Sequence, residues 1–273
     1  MSASVQPLRS AVPGPAAPAE PATTVLTATG LSLAYGPTVV VNDVDLAIRD
    51  RQITAIMGPS GCGKSTLIRA LNRTLELIPG ARVAAGRIAL GGLDLYASDV
   101  DPRAVRATVG IIHQKPVCFP MSIARNVLFG ATFRFRLPRG ERDALVEEAL
   151  NQAGLWHEVR DRLKSSARHL SGGQQQRLCL ARTLAMRPRV LLMDEPCSSL
   201  DPTATRHIED LMLELRARLP IVVVTHNLAQ ARRVADHAVL MVDGRVEDQG
   251  PAERVFEHPV SARAADFISG RAG

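Results

Sequence analysis

The stretch Gly58-Pro59-Ser60-Gly61-Cys62-Gly63-Lys64-Ser65-Thr66 decides how this chain folds. It fits G-x-x-x-x-G-K-[ST], the pattern of a loop that cradles phosphate. Before it, Gln52 to Met57 is an apolar run short enough for a buried strand; after it, Leu67, Ile68, Ala70 and Leu71 share one helical face. A glycine-rich turn with a stray lysine would lack this strand–turn–helix context. Glycines accept dihedrals that a Cβ forbids, so the backbone can wrap closely around an anion. Amide N–H groups at the helix start, aided by the helix dipole, then converge on it. Lys64 would reach the β- and γ-phosphates, and the Ser65 hydroxyl would ligate Mg²⁺. The expected ligand is a nucleoside triphosphate.

The partner of such a loop is a buried strand ending in a carboxylate. Val190-Leu-Leu-Met193 is continuously apolar and runs straight into Asp194-Glu195. Asp194 would hold the Mg²⁺ shell, and Glu195 stands where an attacking water could be polarised. Ile221-Val-Val-Val224 is another buried strand, ending in Thr225-His226; alone, His226 reads as a capped or packed histidine more readily than a catalytic one.

Around these landmarks the chain divides into regions. Residues 1–24 are rich in Pro, Ala and Ser with almost no large apolar side chains, and are expected to be a disordered extension. Val25 to Tyr35 and Val39 to Ile48 read as strands, with turns at Gly36-Pro37 and Asn42-Asp43. Gly86 to Leu90 and Leu93 to Leu95 form a further pair, so a small antiparallel sheet should pack beside the nucleotide core. Tyr35 is placed to stack on adenine, although a lone tyrosine reads more readily as a half-buried strand residue. Arg106 to Gln114 reads as a strand with Gln114 at its exit. Helical spacing follows over 122–168, punctuated by Pro138 and Gly140, with Gly154 ending one helix. Leu170-Ser-Gly-Gly-Gln174 opens a helix from Gln175 to Met186, with Ser171 as N-cap and Pro188 as its stop. A helix from Thr203 to Leu219 precedes the 221–224 strand, and the tail from Asp236 alternates strands and turns before a last helix through Phe267. The resulting expectation is an α/β fold over 25–273: a phosphate-loop NTPase core with a mainly parallel sheet, a small antiparallel β subdomain, and a helical insertion at about 118–185.

Composition excludes several classes. A 46% hydrophobic content supplies a core, and 3% aromatics gives little support for a base-stacking surface, so no nucleic-acid partner is expected. The net charge of +6 comes from scattered arginines and only three lysines (Lys64, Lys115, Lys164), which reads as a solvated basic surface. The four cysteines (Cys62, Cys118, Cys179, Cys197) show neither metal-ligand spacing nor a disulfide framework, which fits a reducing cytosol. Cys62 sits inside the loop, where a redox switch competes with the simpler reading of a small residue that fits. No apolar run approaches the ~20 residues of a membrane span, and without a basic n-region followed by an h-region secretion is not expected.

The order Tyr35, the 58–66 loop, Gln114, Leu170-Ser-Gly-Gly-Gln174, Asp194-Glu195 and His226 resembles the ATP-binding cassette (ABC) family from residue 25 to the end. The resemblance implies a head-to-tail homodimer with two ATP molecules at its interface, each held by the loop of one subunit and by the signature residues Ser171, Gly172, Gly173 and Gln174 of the other. It implies Glu195 as general base, His226 as γ-phosphate sensor, and Gln114 as a link from Mg²⁺ to the surface that meets the membrane subunits. Asp201 would cross the dimer interface.

Within that family, Leu71-Asn-Arg73, Leu77 to Val83, Phe119 to Ile123, Gln174 to Cys179, Asp194 to Ser198, Leu200 to Thr205 and Phe267 to Arg271 are similar to the phosphate-importer ATPases called PstB. That branch implies two integral membrane permease subunits, an extracytoplasmic phosphate-binding protein acting through them, and peripheral attachment at the cytoplasmic face of the inner membrane. His113, Val117-Cys118 and Leu240 to Arg245 depart from the branch pattern; a neighbouring importer branch, such as polar amino-acid uptake, is the alternative. DNA-repair and chromosome-structuring ATPases share the motifs but insert a long coiled coil, for which the segment between Gln114 and Ser171 leaves no room. Translation-associated cassette proteins normally carry two cassettes, and one is present here.

Overall fold

Apolar–polar alternation gives the first two elements, β1 (Thr24–Tyr35) and β2 (Thr38–Arg49), which pair antiparallel across the Gly36-Pro37 turn. The computed structural model describes residues 23–271. The expected extension over 1–24 therefore lies outside the described residues except at its end, where Thr24 already belongs to β1. Asn42-Asp43 is not a turn: it lies inside β2, where Asp43 takes a left-handed backbone (φ 54) beside irregular pairing with β1.

β3 (Ile53–Met57) feeds the glycine-rich loop and α1 (Lys64–Leu71). β4 (Ala81–Leu90) starts before the expected Gly86, and the short β5 (Leu93–Asp94) folds back on it. The expected strand over 106–114 is mostly something else. Asp101 caps, and Pro102 opens, α2 (Pro102–Thr108), leaving β6 as Val109–Ile112. The β-branched residues at 108–112 hide a short helix whose start signal, Asp-Pro, is nonetheless present.

The helical segment comprises α3 (Ile123–Arg134), α4 (Arg139–Gln152), α5 (Trp156–Val159) and α6 (Gly172–Leu184). It starts α6 earlier than the expected Gln175, because the Ser171 cap lies directly before the two glycines. Then come β7 (Val190–Asp194), α7 (Pro202–Leu215, shorter than expected), β8 (Ile221–Val224), α8 (Leu228–Val234), β9 (His237–Val242), β10 (Arg245–Pro251), α9 (Ala252–Glu257) and α10 (Ala262–Ile268).

Two sheets result, a four-stranded one in the order β2-β1-β4-β5 and a six-stranded one in the order β10-β9-β3-β8-β7-β6. In the larger sheet only the β9–β10 pair is antiparallel. Its inner strands are apolar on both faces, as a parallel sheet covered on both sides requires. Alternate residues serve separate cores: Leu191, Met193, Ile221 and Val223 pack with the long helices, while Val190, Leu192, Val222 and Val224 pack with α1 and the antiparallel sheet. The α/β fold with a small antiparallel sheet is as expected.

Candidate functional site

Two glycines fix the loop after β3. Gly58 has φ 148, and a Cβ there would lie 2.0 Å from the Met241 carbonyl oxygen of β9. Gly63 has φ 100, and its Cβ would meet Val41 Cγ2 at 2.8 Å and the Val40 oxygen at 2.9 Å. The loop is thus pressed onto backbone at both ends, while Ser60 and Gly61 between them face solvent. Gly63 heads α1 without a side-chain cap, so the first-turn N–H groups have no side-chain acceptor. Pro59 is half-buried, and Cys62 is packed in the core beside Lys64, its sulfur 3.7 Å from Nζ.

Lys64 itself is buried, and its ammonium donates to the carbonyls of Gly58 (2.8 Å) and Pro59 (2.7 Å). A buried cation satisfied only by its own loop is ready to exchange those oxygens for phosphate oxygens. Tyr35 ends β1 half-buried, with its hydroxyl 3.3 Å from Thr66 Oγ1 at the end of the same loop.

Across the sheet, β7 delivers Asp194 and Glu195. The Ser65 hydroxyl donates to Asp194 Oδ1 at 3.0 Å. Burial pushes the Asp194 carboxyl above its ordinary range, and the Ser65 hydrogen bond and the Arg69 charge only partly offset this. Hydroxyl and buried carboxylate side by side form a hard-oxygen pair short of positive charge, which fits Mg²⁺. Among the described residues no three His, Cys, Asp or Glu side chains group as a metal site. A Mg²⁺ completed by nucleotide phosphates needs no such group.

Glu195 leaves the strand with a left-handed backbone (φ 47), uncommon for a residue with a side chain, while its N–H stays tied to the Val224 carbonyl at 2.9 Å. That bend turns the carboxylate between two partners. Gln114 Nε2 donates to Oε2 at 3.1 Å, and His226 Nδ1 stands 3.2 Å from Oε1. A cleft of about 790 Å³ opens beside them, lined by Glu195, Ser198, Thr205, His226 and Arg233 among others. The structure therefore brings together Gln114, Glu195 and His226, and joins Ser65 to Asp194.

The signature residues lie elsewhere. Ser171 and Gln174 form a reciprocal capping box at the start of α6: Ser171 Oγ accepts from the Gln174 N–H, and Gln174 Oε1 accepts from the Ser171 N–H. Gly172 and Gly173 occupy the first helical positions, and a Cβ on Gly173 would come 3.1 Å from Ala204 Cβ near the start of α7. Asp201 caps α7, accepting from the N–H groups of Thr203 and Ala204 at 2.9 Å each. The signature and Asp201 are thus neighbours, but among the described residues no hydrogen bond joins 171–174 to the 58–66 loop.

One supporting residue escapes a reading of the sequence. Glu158 accepts from Gln174 Nε2 at 2.7 Å and from Arg177 at 2.6 Å. Burial works to raise its carboxyl, but these two hydrogen bonds outweigh it and hold the group below the usual range. No local pattern marks Glu158, which sits on the one-turn α5.

Known proteins resemble this chain in both sequence and fold. A family model described as ABC transporter matches residues 41–198. A Rubrobacter xylanophilus protein named phosphate import ATP-binding protein PstB is 48% identical over 256 residues, 91% of this chain and 89% of that one. A Synechocystis protein named phosphate import ATP-binding protein PstB 2 is 46% identical over 258 residues, 91% of this chain and 96% of that one. Among solved structures, cbiO1 from Clostridium perfringens, described as part of the ABC transporter complex cbiONQ, is similar with a TM-score of 0.76 and 30% identity over 91% of this chain and 96% of that one. A dimeric post-hydrolysis structure of the ATP-binding cassette MJ0796 with ADP and Pi is similar with a TM-score of 0.70 and 27% identity, covering 83% and 98%.

Proposed function

This chain belongs to the ABC transporter family, and from that premise we propose that it is the ATP-hydrolysing subunit of an importer of inorganic phosphate. The observation that carries the catalytic part is the placement of Glu195 between Gln114 and His226, beside the Ser65–Asp194 pair. The phosphate part rests on relatives at 46–49% identity over about nine-tenths of the chain, all named for phosphate import; those names favour phosphate over polar amino acids.

In this reading the loop amides and Lys64 hold the β- and γ-phosphates, and Tyr35 faces the base. Glu195 orients a water and accepts its proton as the water oxygen bonds to the γ-phosphorus and the bond to ADP breaks. His226, whose Nδ1 lies 3.2 Å from Glu195 Oε1, senses the γ-phosphate. Ser65, Asp194 and Gln114 would hold Mg²⁺, which neutralises phosphate charge when bound. The signature start of α6 offers N–H groups with no phosphate of its own chain to meet, so a second copy, packed head to tail, would supply the loop and its ATP, with Asp201 at the junction. The membrane subunits would dock on the connector after β6 and on α3. There Val117, Phe129 and Phe133 are exposed at 60%, 42% and 83%, an apolar patch unusual on a free surface. Among the described residues no helix is long and apolar enough to cross a membrane, so the chain would act from the cytoplasmic face through two permease subunits, fed by an extracytoplasmic phosphate-binding protein.

Uptake of labelled phosphate at low external concentration tests this, in cells whose only copy of the subunit carries Lys64→Ala. High-affinity uptake should be lost. Normal uptake would end the phosphate assignment.

A further inference from the structure

The connector from β6 to α3 brings together two thiols that the ATP site does not use. Cys118 lies half-buried on the connector, and Cys179 is buried midway along α6. Cys179 Sγ donates to the carbonyl of Val117, the residue before Cys118, at 3.7 Å. Cys118 Sγ donates to the carbonyl of Gln175, one turn before Cys179, at 3.9 Å. Each thiol is thus held against the backbone beside the other. Arg182, one turn further along α6, clasps the pair: its Nη2 stands 3.4 Å from Cys179 Sγ and its Nη1 donates to the Val117 carbonyl at 2.9 Å. Its guanidinium lies over the Phe119 ring at 4.4 Å, which fixes it there. The neighbouring Cys118 thiol lowers the Cys179 thiol most; burial opposes this and Arg182 adds to it, leaving Cys179 below the ordinary thiol range. Cys118 is displaced upward by the same contact and by burial. One nucleophilic sulfur beside one resolving sulfur is the arrangement of a redox site.

We propose that Cys118 and Cys179 are a reversible peroxide-responsive pair whose disulfide ties the β6–α3 connector to α6 and slows ATP turnover. The Cys179 thiolate attacks one oxygen of hydrogen peroxide; the O–O bond breaks, and the departing hydroxide takes up a proton to leave as water. The Cys118 sulfur, giving up its proton, then attacks the sulfenic sulfur; the S–O bond breaks, a second water leaves and the S–S bond forms. Two thiols have lost two electrons, the peroxide has gained them, and a dithiol reverses the step by exchange. The expected slowing rests on the ATPase reading, whereas the disulfide does not. Gln114, four residues before Cys118, holds Glu195. Clamping the connector to α6 removes its freedom to adjust that contact as nucleotide binds and leaves.

The test treats the full purified chain with hydrogen peroxide, alkylates it under non-reducing conditions and maps the digest by mass spectrometry, with ATP hydrolysis measured in parallel. A cross-linked peptide joining Cys118 to Cys179 is expected, with Cys62 and Cys197 alkylated. Turnover should fall by about tenfold, as a ~1 Å misplacement far from the chemistry can cost up to ~10²-fold, and dithiothreitol should restore it. Cys118→Ser and, independently, Cys118→Ala should abolish both the cross-link and the reversible loss. Cys118 and Cys179 still alkylable after peroxide, or a complete cross-link that leaves turnover unchanged, would overturn the proposal. A chain that forms the cross-link on peroxide treatment but hydrolyses no ATP even before it would instead count against the ATPase reading.

Discussion

Replacing Glu195 with glutamine removes the ability to accept a proton and little else. In the folded protein Oε2 accepts from Gln114 at 3.1 Å, and Oε1 faces His226 Nδ1 at 3.2 Å. A carboxamide keeps the first contact with its oxygen and, with His226 in the tautomer whose proton sits on Nε2, donates its NH₂ to Nδ1, so both partners remain satisfied. The left-handed backbone at 195 and the N–H bond to Val224 do not depend on the substitution. Exchanging hydrogen bonds at a side chain 21% exposed should change stability by less than about 1 kcal/mol. A positioned general base is commonly worth about 10²–10⁴ in rate, or roughly 2.7–5.5 kcal/mol of barrier.

Phosphate release at saturating Mg·ATP should therefore fall by about 10²–10⁴ in Glu195→Gln, while nucleotide titration and the urea midpoint stay near wild type. If ATP is sandwiched between two copies, the same variant should accumulate as an ATP-dependent dimer on size exclusion. A folded variant that turns over within about threefold of wild type would refute the base assignment. One that no longer binds ATP would move Glu195 from chemistry to binding.

Three further outcomes follow from particular contacts. Arg125→Glu, at an exposed position on α3 away from the reacting groups, should abolish phosphate uptake while basal ATPase in detergent stays near wild type; loss of both with the fold intact would assign that segment to hydrolysis. The Asp248 side chain is 1% exposed and holds Arg254 at 2.6 and 2.9 Å, so Arg254→Met leaves a buried carboxylate with no cation and only the Val260 N–H, and should lower the unfolding free energy by about 3–5 kcal/mol in urea. A drop below about 1 kcal/mol would mean that the pair behaves like a surface bridge. Burial, with the Arg49 and Arg254 charges, holds His237 below its ordinary pKa. The unfolded chain then takes up a proton that the fold resists, so stability should decline as pH falls through about 6.5, and His237→Gln should flatten that decline in pH-dependent urea melts.

What was legible in the sequence is what adjacent residues decide. The loop, the Ser171 N-cap and the carboxylate at the end of an apolar strand each depend on residues within one turn or one strand of each other. The helix α2 was hidden because β-branched residues follow it without a break. The Asp43 irregularity was hidden because the same residue types serve a turn or a bulge. The contacts of Glu195 were beyond reach for a different reason. Gln114 lies 81 positions from Glu195, and no spacing rule links them.

Their meeting follows from strand order. Gln114 comes after β6, Glu195 directly after β7 and His226 two residues after β8, and these strands are consecutive neighbours in the parallel sheet. β3, which launches the 58–66 loop, lies on the other side of β8. Parallel neighbours present their carboxyl ends along one edge, so every residue that follows such a strand is delivered to the same crevice. The motifs name the groups, but the order β3-β8-β7-β6 makes them one site. Exchanging β3 and β7 in that order would keep each motif and part Glu195 from Gln114. The left-handed turn at Glu195 is the local cost of the arrangement, because a strand continuing straight past Asp194 would carry the carboxylate away from both Gln114 and His226.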